Sequence, residues 1–385
     1  METNSTSFNM LAKTFYGLED VLAEELRSIG AQNIKVLNRA VTFTGNQRLL
    51  YDANLSLRTA LSILKPIAEF DARNEDQLYR EIKKIDWANY FTVDETFIVD
   101  STVNSTQFTH SHYVALKVKD AIVDQFRDRF NKRPSIDLDH PDLRINIHIS
   151  ENHCTVSLDS SGESLHRRGY RKAAIKAPLN EVLAAGMVII SGFKGQKNFI
   201  DPMCGSGTIV IEAAMIAYNI APNMLRKDFG FMHWHDYDRK LWKEVKGDAI
   251  AKISTFDHKI IGSDMSASAI RIAQKNIQRA KLEDKIELIK STFDNLNPPD
   301  GPGTIVMNPP YGERMQKEDI IAFYHGIGDQ LKQKYPGYNA WILSSNIAAL
   351  KRVGLKASNK KTLFNGPLEC RYHEFVMYEG SKKNN

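Results

Sequence analysis

The feature that most constrains the fold is an alternation of short apolar segments with helical segments in the second half of the 385-residue chain. This alternation predicts a doubly wound, mostly parallel β-sheet. Ligands of such sheets bind beyond the carboxyl ends of the strands, where we therefore look for the site. The predicted strands are Asn198 to Asp201, Lys259 to Asp264, Lys285 to Ile289, Thr304 to Met307 and Ala340 to Ser345.

The first half of the chain has an α+β pattern. A strand from Phe8 to Thr14, an amphipathic helix that ends at Gly30 and two further short strands predict a ferredoxin-like unit. A second segment, from about Phe70 to Gly162, contains a long helix from His112 to about Asn131. It continues into a hairpin over residues 145–158, whose alternating residues predict one buried and one wet face.

The string DPMCGSGT links the first predicted strand of the second half to a helix. Gly205 and Gly207 allow a ligand to approach the backbone, and the helix start near Thr208 offers free N–H groups to an anion. No lysine follows to make a nucleoside triphosphate loop, and Val210 stands where a dinucleotide fingerprint needs glycine or alanine. Asp201, directly before the turn, fits the ammonium of an aminoacyl ligand.

The next strand ends at Asp264, a carboxylate placed to accept hydrogen bonds from both ribose hydroxyls of an adenosine. An insertion between Tyr218 and Asp257 separates the two strand ends. It contains His233 and His235, but no further ligands stand at metal-binding spacing, so a lid or substrate-contacting loop is expected and no metal.

The string NPPYGER follows the fourth predicted strand. Pro309 and Pro310 fix the backbone and have no N–H, so their carbonyl groups are free to accept hydrogen bonds. The side-chain oxygen of Asn308 and the Pro309 carbonyl can each accept one hydrogen of an amino group, which frees the nitrogen lone pair for attack. Tyr311 can stack on a base. The alternative is a proline-rich turn without function.

A basic run, LHRRGYRKAAIK, covers Leu165 to Lys176 and contains no acidic residue. Its cations could neutralise several phosphates, although a solvated linker explains the charge run as well. The residues assigned to RNA binding are Arg167, Arg168, Arg171 and Lys172.

Composition adds only coarse limits. The net charge of +5 does not by itself indicate a polyanionic partner. The polar N-terminus has no signal-peptide pattern and no apolar run could span a bilayer, so we expect a cytoplasmic protein without a membrane partner. Cys154, Cys204 and Cys370 lie far apart and predict neither disulfides nor a zinc site.

The strings DPMCGSGT, GSDMS and NPPYGER, with SLHRRGYR before them, resemble class I methyltransferases that carry an N-terminal ferredoxin-like unit and a THUMP RNA-binding domain. The similarity is greatest to the large-subunit ribosomal RNA methyltransferases that act on the guanine 2-amino group. The resemblance implies a ferredoxin-like domain at 1–68, a THUMP domain at 69–163 and a Rossmann-like methyltransferase domain at 164–385, with S-adenosylmethionine as cofactor.

The resemblance also implies roles for matching positions. Asn308, Pro309, Pro310 and Tyr311 would hold the target amine. Where such enzymes usually have the aspartate that reads the adenine amine, this chain has Ser291, with Asp294 a few residues on. Ser291 and Thr292 are cofactor-binding candidates. The remaining cofactor-binding candidates are Leu179, Asn180, Asp201, Met203, Cys204, Gly205, Ser206, Gly207, Thr208, Asp264 and Met265, together with Asn308.

The activity implied is methylation of the 2-amino group of a guanine in 23S ribosomal RNA, with transfer RNA as the alternative substrate. Methylation of the adenine 6-amino group in RNA or DNA stays open, because the acceptor residues suit any planar exocyclic amine. A non-catalytic RNA-binding or assembly factor is the alternative from another class. Because the chain ends at Asn385 after one catalytic domain, a second methyltransferase activity is not expected. Neither the modified nucleotide nor the oligomeric state follows from the sequence.

Overall fold

The computed structural model describes residues 6–171, 179–310 and 317–378. In these ranges the strands form an N-terminal sheet of eight strands and a C-terminal sheet of seven. The N-terminal strands are β1 (Phe8–Lys13), β2 (Gln32–Leu37), β3 (Ala40–Gly45), β4 (Ser62–Asp71), β5 (Thr96–Asn104), β6 (Ser135–Ile136), β7 (Leu143–Ser150) and β8 (His153–Asp159). The helices of this half are α1 (Glu19–Ser28), α2 (Gln47–Ser56), α3 (Glu75–Lys84) and α4 (Ser111–Phe130), with a one-turn helix at Trp87–Asn89.

Strand β4 connects the ferredoxin-like and THUMP units. The strand order is β2-β3-β1-β4-β8-β7-β5-β6, so β4 pairs with β1 of the first unit and with β8 of the second. The domain boundary expected between residues 68 and 69 therefore lies inside this strand. One hydrophobic core, which includes Leu22 of α1 and Ile149 of β7, extends through both units.

The C-terminal sheet has the predicted parallel centre. Its strands are β9 (Asn198–Asp201), β10 (Ile260–Asp264), β11 (Glu287–Lys290), β12 (Gly303–Met307), β13 (Tyr338–Ser344), β14 (Asn359–Asn365) and β15 (Leu368–Val376), in the order β11-β10-β9-β12-β13-β15-β14. The first five in this order are parallel, and β15 runs antiparallel to β13. The antiparallel hairpin β14–β15 was not predicted.

Helices cover both faces of this sheet, as expected for a doubly wound fold. They are α5 (Glu181–Ile190), α6 (Thr208–Ala217), α7 (Arg239–Ala251), α8 (Ala267–Ala280), α9 (Lys317–Lys334) and α10 (Ile347–Leu350), with one-turn helices at Gly230–His233, Phe293–Asn295 and Lys351–Val353. Helices α5 and α6 pack in one core and α9 in another. None of the helices in the described ranges combines the length and apolar character needed to cross a membrane.

The insertion between β9 and β10 packs against the N-terminal sheet, where it belongs to the same core. Phe231 lies 4.4 Å from the Tyr51 ring, centroid to centroid, and its N–H donates to the Ser160 carbonyl at 2.9 Å. A Cβ on Gly230 would lie 2.4 Å from the Asp159 carbonyl, so only glycine fits there. The insertion is thus a support between domains, which corrects the expectation of a lid.

The β7–β8 hairpin is only partly wet. Asn146 and Ser157 belong to the polar face that was expected to be exposed, yet both are buried, as is Asp159 directly after the predicted hairpin. The one-turn helix at Gly230–His233 packs against β7, so the insertion accounts for part of this burial. Burial raises the pKa of Asp159 to about 6, because a carboxylate loses hydration there.

Candidate active site

The carboxyl ends of β9, β10 and β12 meet at one edge of the C-terminal sheet. Gly262 pairs with Asp201, and Ile305 pairs with Ile200. Asp264 and Asn308 therefore each extend two residues beyond the level of Asp201, on the two strands that flank β9. The strand order reverses at β9, and the crevice that forms at such a reversal is where α/β sheets bind their ligands.

The glycine-rich turn after β9 is tied to the end of β10. The N–H of Gly205 donates to Oδ2 of Asp264 at 3.0 Å, and the N–H of Cys204 donates to the Ser263 carbonyl at 2.8 Å. Gly207 has φ of +83°, and a Cβ there would come within 3.2 Å of Cβ of Ala273. The turn therefore needs glycine, both for its left-handed backbone and for its close approach to α8.

Asp201 is buried, with 1% of its surface exposed. Its Oδ1 accepts from the N–H of Met203 at 3.2 Å. Burial, and secondarily repulsion by Asp264, raises the pKa of Asp201 to about 8. A nearby cation strongly stabilises the ionised form of a carboxyl that is buried beside a second acid. Asp201 therefore suits a positively charged group of a ligand.

Asn308 follows the last residue of β12, Met307. Its Oδ1 is buried and has no hydrogen-bond partner among the described residues. A buried acceptor without a partner is costly, so a donor group of a ligand would stabilise it. Pro309 is buried beside it and Pro310 is half-buried, so an amino group could reach Asn308 Oδ1 in a dry, rigid setting. Tyr311, the last member of the predicted tetrapeptide, lies outside the described residues.

Other cofactor candidates surround this edge. Ser206 is buried, and its carbonyl accepts from Nδ2 of Asn276 at 3.0 Å. The N–H of Ser291 donates to the Asp264 carbonyl at 3.2 Å, so the third strand end lies beside the second. Thr292, the next residue, accepts a hydrogen bond from the Ser291 hydroxyl at 3.0 Å through its carbonyl. Met265 is 72% exposed and lies at the rim.

The predicted RNA-binding arginines occupy three different environments. The side chain of Arg167 is 63% exposed and pairs with Glu163 at 2.8 Å. Arg168 is fully buried, and its Nε lies 3.5 Å from the equally buried Glu212. Because its guanidinium is inaccessible, the prediction that Arg168 contacts RNA is wrong. Lys172 lies outside the described residues.

Arg171 contacts three residues at the starts of α5 and α6, two of which are predicted cofactor residues. It donates through Nη2 to the Leu179 carbonyl at 2.8 Å and to Oγ1 of Thr208 at 2.6 Å, and its Nε lies 3.3 Å from Glu181. With 16% of its side chain exposed, it holds the starts of α5 and α6 together instead of facing RNA as predicted. Asn180 caps α5 by accepting from the N–H of Val182 at 2.9 Å.

Sequence reasoning missed this buried role of the arginines, although a signal was present. Glu212 stands alone in the otherwise apolar helix TIVIEAAMIA, and Glu181 begins the similarly apolar EVLAAGMVII. A lone carboxylate in a helix that is buried on all sides requires a partner cation, because an unpaired buried charge is very costly.

His233 and His235 connect the insertion to the THUMP unit. Nε2 of His233 lies 2.9 Å from Asp228 and its Nδ1 lies 3.8 Å from Asp142, while Nε2 of His235 lies 3.7 Å from Glu95. Among the described residues, no group of three or more His, Cys, Asp or Glu side chains is arranged to hold a metal ion.

The residues of this edge fit S-adenosylmethionine at both ends. Asp201 is the buried carboxyl that its ammonium would pair with. The Asp264 oxygens accept from the N–H groups of Gly205 and Ser266, one each, at 3.0 and 2.8 Å. Each carboxylate oxygen has a second lone pair, so Asp264 can still accept from ribose hydroxyls.

Family models match three successive parts of the chain. Residues 9–64 match the RlmL ferredoxin-like domain, residues 72–159 the THUMP domain, and residues 168–374 the RMKL-like methyltransferase domain.

Relatives match over nearly the whole chain. A Synechocystis protein described as a candidate RNA methyltransferase, slr0064, is 41% identical over 97% of this chain and 98% of its own. The ribosomal RNA large subunit methyltransferase K/L of Syntrophotalea carbinolica is 38% identical over 94% of this chain. Only 53% of that relative is covered, so the chain spans about half the length of the K/L protein.

A solved structure has the same fold throughout. The crystal structure of SMU.472, described as a candidate methyltransferase complexed with SAH, is 30% identical with a TM-score of 0.87. The match covers 98% of this chain and 100% of that one.

Proposed function

We propose that this chain, which belongs to the RMKL-like methyltransferase family with ferredoxin-like and THUMP domains, methylates the 2-amino group of a guanine in 23S ribosomal RNA. The observation that carries the chemical part is the buried, unpartnered Oδ1 of Asn308 at the carboxyl edge, on the opposite side of β9 from Asp264. Support for ribosomal RNA comes from the name of the K/L relative and from the match to a THUMP domain.

The residues of the chain would act mainly by positioning. Asn308 Oδ1 and the Pro309 carbonyl accept the two hydrogens of the target amine, so that its lone pair turns out of conjugation with the base. S-adenosylmethionine supplies a methyl group that is already activated on a sulfonium. No strong base is needed before attack. The amine nitrogen would form the N–C bond while the bond from the methyl carbon to the sulfonium sulfur breaks, and it would then lose one proton to solvent.

Cofactor binding would rest on both acids of the edge. Asp201 pairs with the ammonium of the methionine end, and Asp264 accepts from the ribose hydroxyls. The glycine-rich turn, from Met203 to Thr208, brings backbone N–H groups toward the carboxylate of the same end. We also propose the three-domain division at 1–68, 69–163 and 164–385, with β4 shared by the first two domains.

The test is methyl transfer with defined RNA. Purified protein is incubated with isotopically labelled S-adenosylmethionine and either unmodified 23S ribosomal RNA or unmodified transfer RNA, and the nucleosides are analysed by mass spectrometry. We expect labelled N2-methylguanosine from 23S ribosomal RNA. The same product from transfer RNA alone would identify transfer RNA as the substrate. Labelled N6-methyladenosine would identify adenine as the target base. Cofactor binding without transfer to either RNA would refute catalysis on these substrates.

A further inference from the structure

A second basic segment lies near the C-terminus and is distinct from the run at 165–176. Between Ser345 and Leu368 the chain has five cationic residues and no acidic one. All five are exposed, and within the described ranges none of them forms an ion pair. These residues, called the C-terminal cations below, are Lys351, Arg352, Lys356, Lys360 and Lys361.

Lys351 and Arg352 come soon after β13, and Lys360 lies on β14, where it pairs with His373 at the level of Ile342 and Met307. Lys356 precedes β14 on the side of the amino ends, and Lys361 lies on the face of β14 opposite that of Phe364. Arg371 of β15 pairs with Ser344, the last residue of β13, and Phe364 of β14 pairs with Glu369 of β15. The turn of the hairpin thus lies at the carboxyl edge of β13. Met307 pairs with Ile342, so this is also the edge where Asn308 lies. Neighbouring strands are about 4.8 Å apart, so three strand steps separate β14 from β12 by about 15 Å.

A groove of about 590 Å³ opens where this hairpin meets the N-terminal sheet. The ring of Tyr16 lies edge-on to that of Phe364, with 5.5 Å between centroids, and Tyr16 is 45% exposed. The guanidinium of Arg39 lies 5.9 Å from the Phe364 centroid. The lining residues are Tyr16, Asn38, Arg39, Thr362, Phe364, Glu369 and Arg371.

The charges of the groove favour an anion. Glu369 is the one acid among the lining residues, and it already pairs with Nη2 of Arg371 at 2.8 Å. Arg39 is exposed. Its backbone N–H donates to Glu19 at 3.0 Å, whereas its guanidinium pairs with no carboxylate in the described part of the chain. Exposed aromatic rings beside arginines are the usual surface for single-stranded nucleic acid, because bases stack on the rings while cations contact the phosphates.

We propose that the groove, together with Lys351, Arg352 and Lys360 of the C-terminal cations, binds single-stranded RNA adjoining the target nucleotide. The inference rests on the proposed function, because it assigns a docking surface to the same RNA. A strand whose target base reaches Asn308 passes the end of β13 before it reaches Phe364 and Arg39 on this edge. About 15 Å corresponds to only a few extended nucleotides.

The test compares two triple variants in the full-length protein. Lys351→Ala/Arg352→Ala/Lys360→Ala removes three C-terminal cations, and Lys275→Ala/Arg279→Ala/Lys281→Ala removes three equally exposed cations from the end of α8. Helix α8 begins at the carboxyl end of β10 and runs back along the sheet. Its last residues therefore lie near the amino ends of the strands, away from Asn308. Binding of a uridine oligonucleotide and of unmodified 23S ribosomal RNA is measured at several salt concentrations, alongside cofactor binding and thermal unfolding.

We expect the first variant to reduce the magnitude of the logarithmic salt slope for the oligonucleotide by about 2, since each phosphate contact contributes about 0.7. It should raise KM for ribosomal RNA at least tenfold and leave kcat and cofactor affinity unchanged, whereas the control variant should match the wild type. Phe364→Ala should weaken oligonucleotide binding about tenfold, through lost stacking.

If the two variants have equal salt slopes while the wild-type protein methylates RNA, the assignment of this surface to RNA binding is overturned. The proposed function is then unaffected. A wild-type protein that neither binds nor methylates RNA would overturn both.

Discussion

Replacing Arg171 by alanine is the sharpest test of how the cofactor site is built. This guanidinium donates to the Leu179 carbonyl and to Thr208 Oγ1, at 2.8 and 2.6 Å. Its Nε lies 3.3 Å from Oε1 of Glu181, whose side chain is 4% exposed. The other carboxylate oxygen of Glu181 is buried without a hydrogen bond among the described residues. Arg171→Ala would therefore leave a buried carboxylate without its cation.

The magnitude follows from those contacts. Breaking a buried ion pair by removing one partner costs about 3–5 kcal/mol, and this figure includes the lost charged hydrogen bonds because the effects are not additive. Burial raises the pKa of Glu181 while Arg171 opposes that rise. Without Arg171 the pKa of Glu181 rises further, and protonation of Glu181 then limits the loss of stability. We expect a lower free energy of unfolding, by about 3 kcal/mol near neutral pH.

The stability difference between the wild type and Arg171→Ala should depend on pH in one direction. The folded variant binds a proton at Glu181 more readily than the folded wild type, so the stability difference should narrow as pH falls and widen as pH rises. Denaturant unfolding at several pH values measures it, with calorimetry of cofactor binding as the second readout. The double variant Arg171→Ala/Glu181→Gln should recover part of the stability, because no buried carboxylate is left without its cation. It should not recover the cofactor affinity, because the hydrogen bonds to Thr208 and Leu179 are still missing. A pH-independent difference, or no recovery in the double variant, would refute this reasoning.

Three further outcomes are expected. Asn308→Ala should lower the methylation rate on the order of 10²-fold while cofactor affinity stays nearly unchanged, since only the acceptor for the amine is lost; an unaltered rate would contradict its role. Because the pKa of Asp201 is raised to about 8, most of the free protein is protonated there at pH 7, and pairing with an ammonium should release close to one proton. Calorimetry in two buffers of different ionisation enthalpy measures this release, which Asp201→Asn should abolish. Arg168→Ala should destabilise the fold by about 3–5 kcal/mol through the unpaired Glu212, while the salt slope of RNA binding at permissive temperature stays that of the wild type.

The strand ends could be predicted from sequence because they depend on local pattern. A short apolar run followed by a polar residue gives Asp201, Asp264 and Asn308 their places, and parallel pairing then brings them to one edge whatever the helices do. The match to a methyltransferase domain and the shared topology confirm this part of the fold.

The fate of the basic run could not be predicted in this way. Arg168 and Arg171 look like solvent-facing cations because their carboxylate partners, Glu212 and Glu181, come later in the chain. Burial of a charge depends on such long-range pairing, which periodicity does not report. The insertion was misjudged for a related reason, since its aromatic residues, Phe231 among them, complete the core of a different domain.

Arg168 and Arg171 lie where the N-terminal units meet the catalytic domain, and the contacts of Arg168 fix the two parts together. Arg168 donates to the Arg58 carbonyl in the ferredoxin-like unit and pairs with Glu212 in α6, the helix that begins at Thr208. Three residues on, Arg171 holds Thr208 itself. Only the contact between Arg168 and the Arg58 carbonyl spans the two halves. A rotation of the N-terminal units against the catalytic domain would break this contact and disturb the buried Arg168–Glu212 pair, at a cost of several kcal/mol. The distance from the N-terminal units to Asn308 is therefore set by the fold, and under the proposed function a bound RNA would have to match it. Weakening this linkage at Arg168 should consequently lower kcat on long RNA more than it lowers cofactor binding, because the target base would no longer be delivered at a fixed distance from its docking surface.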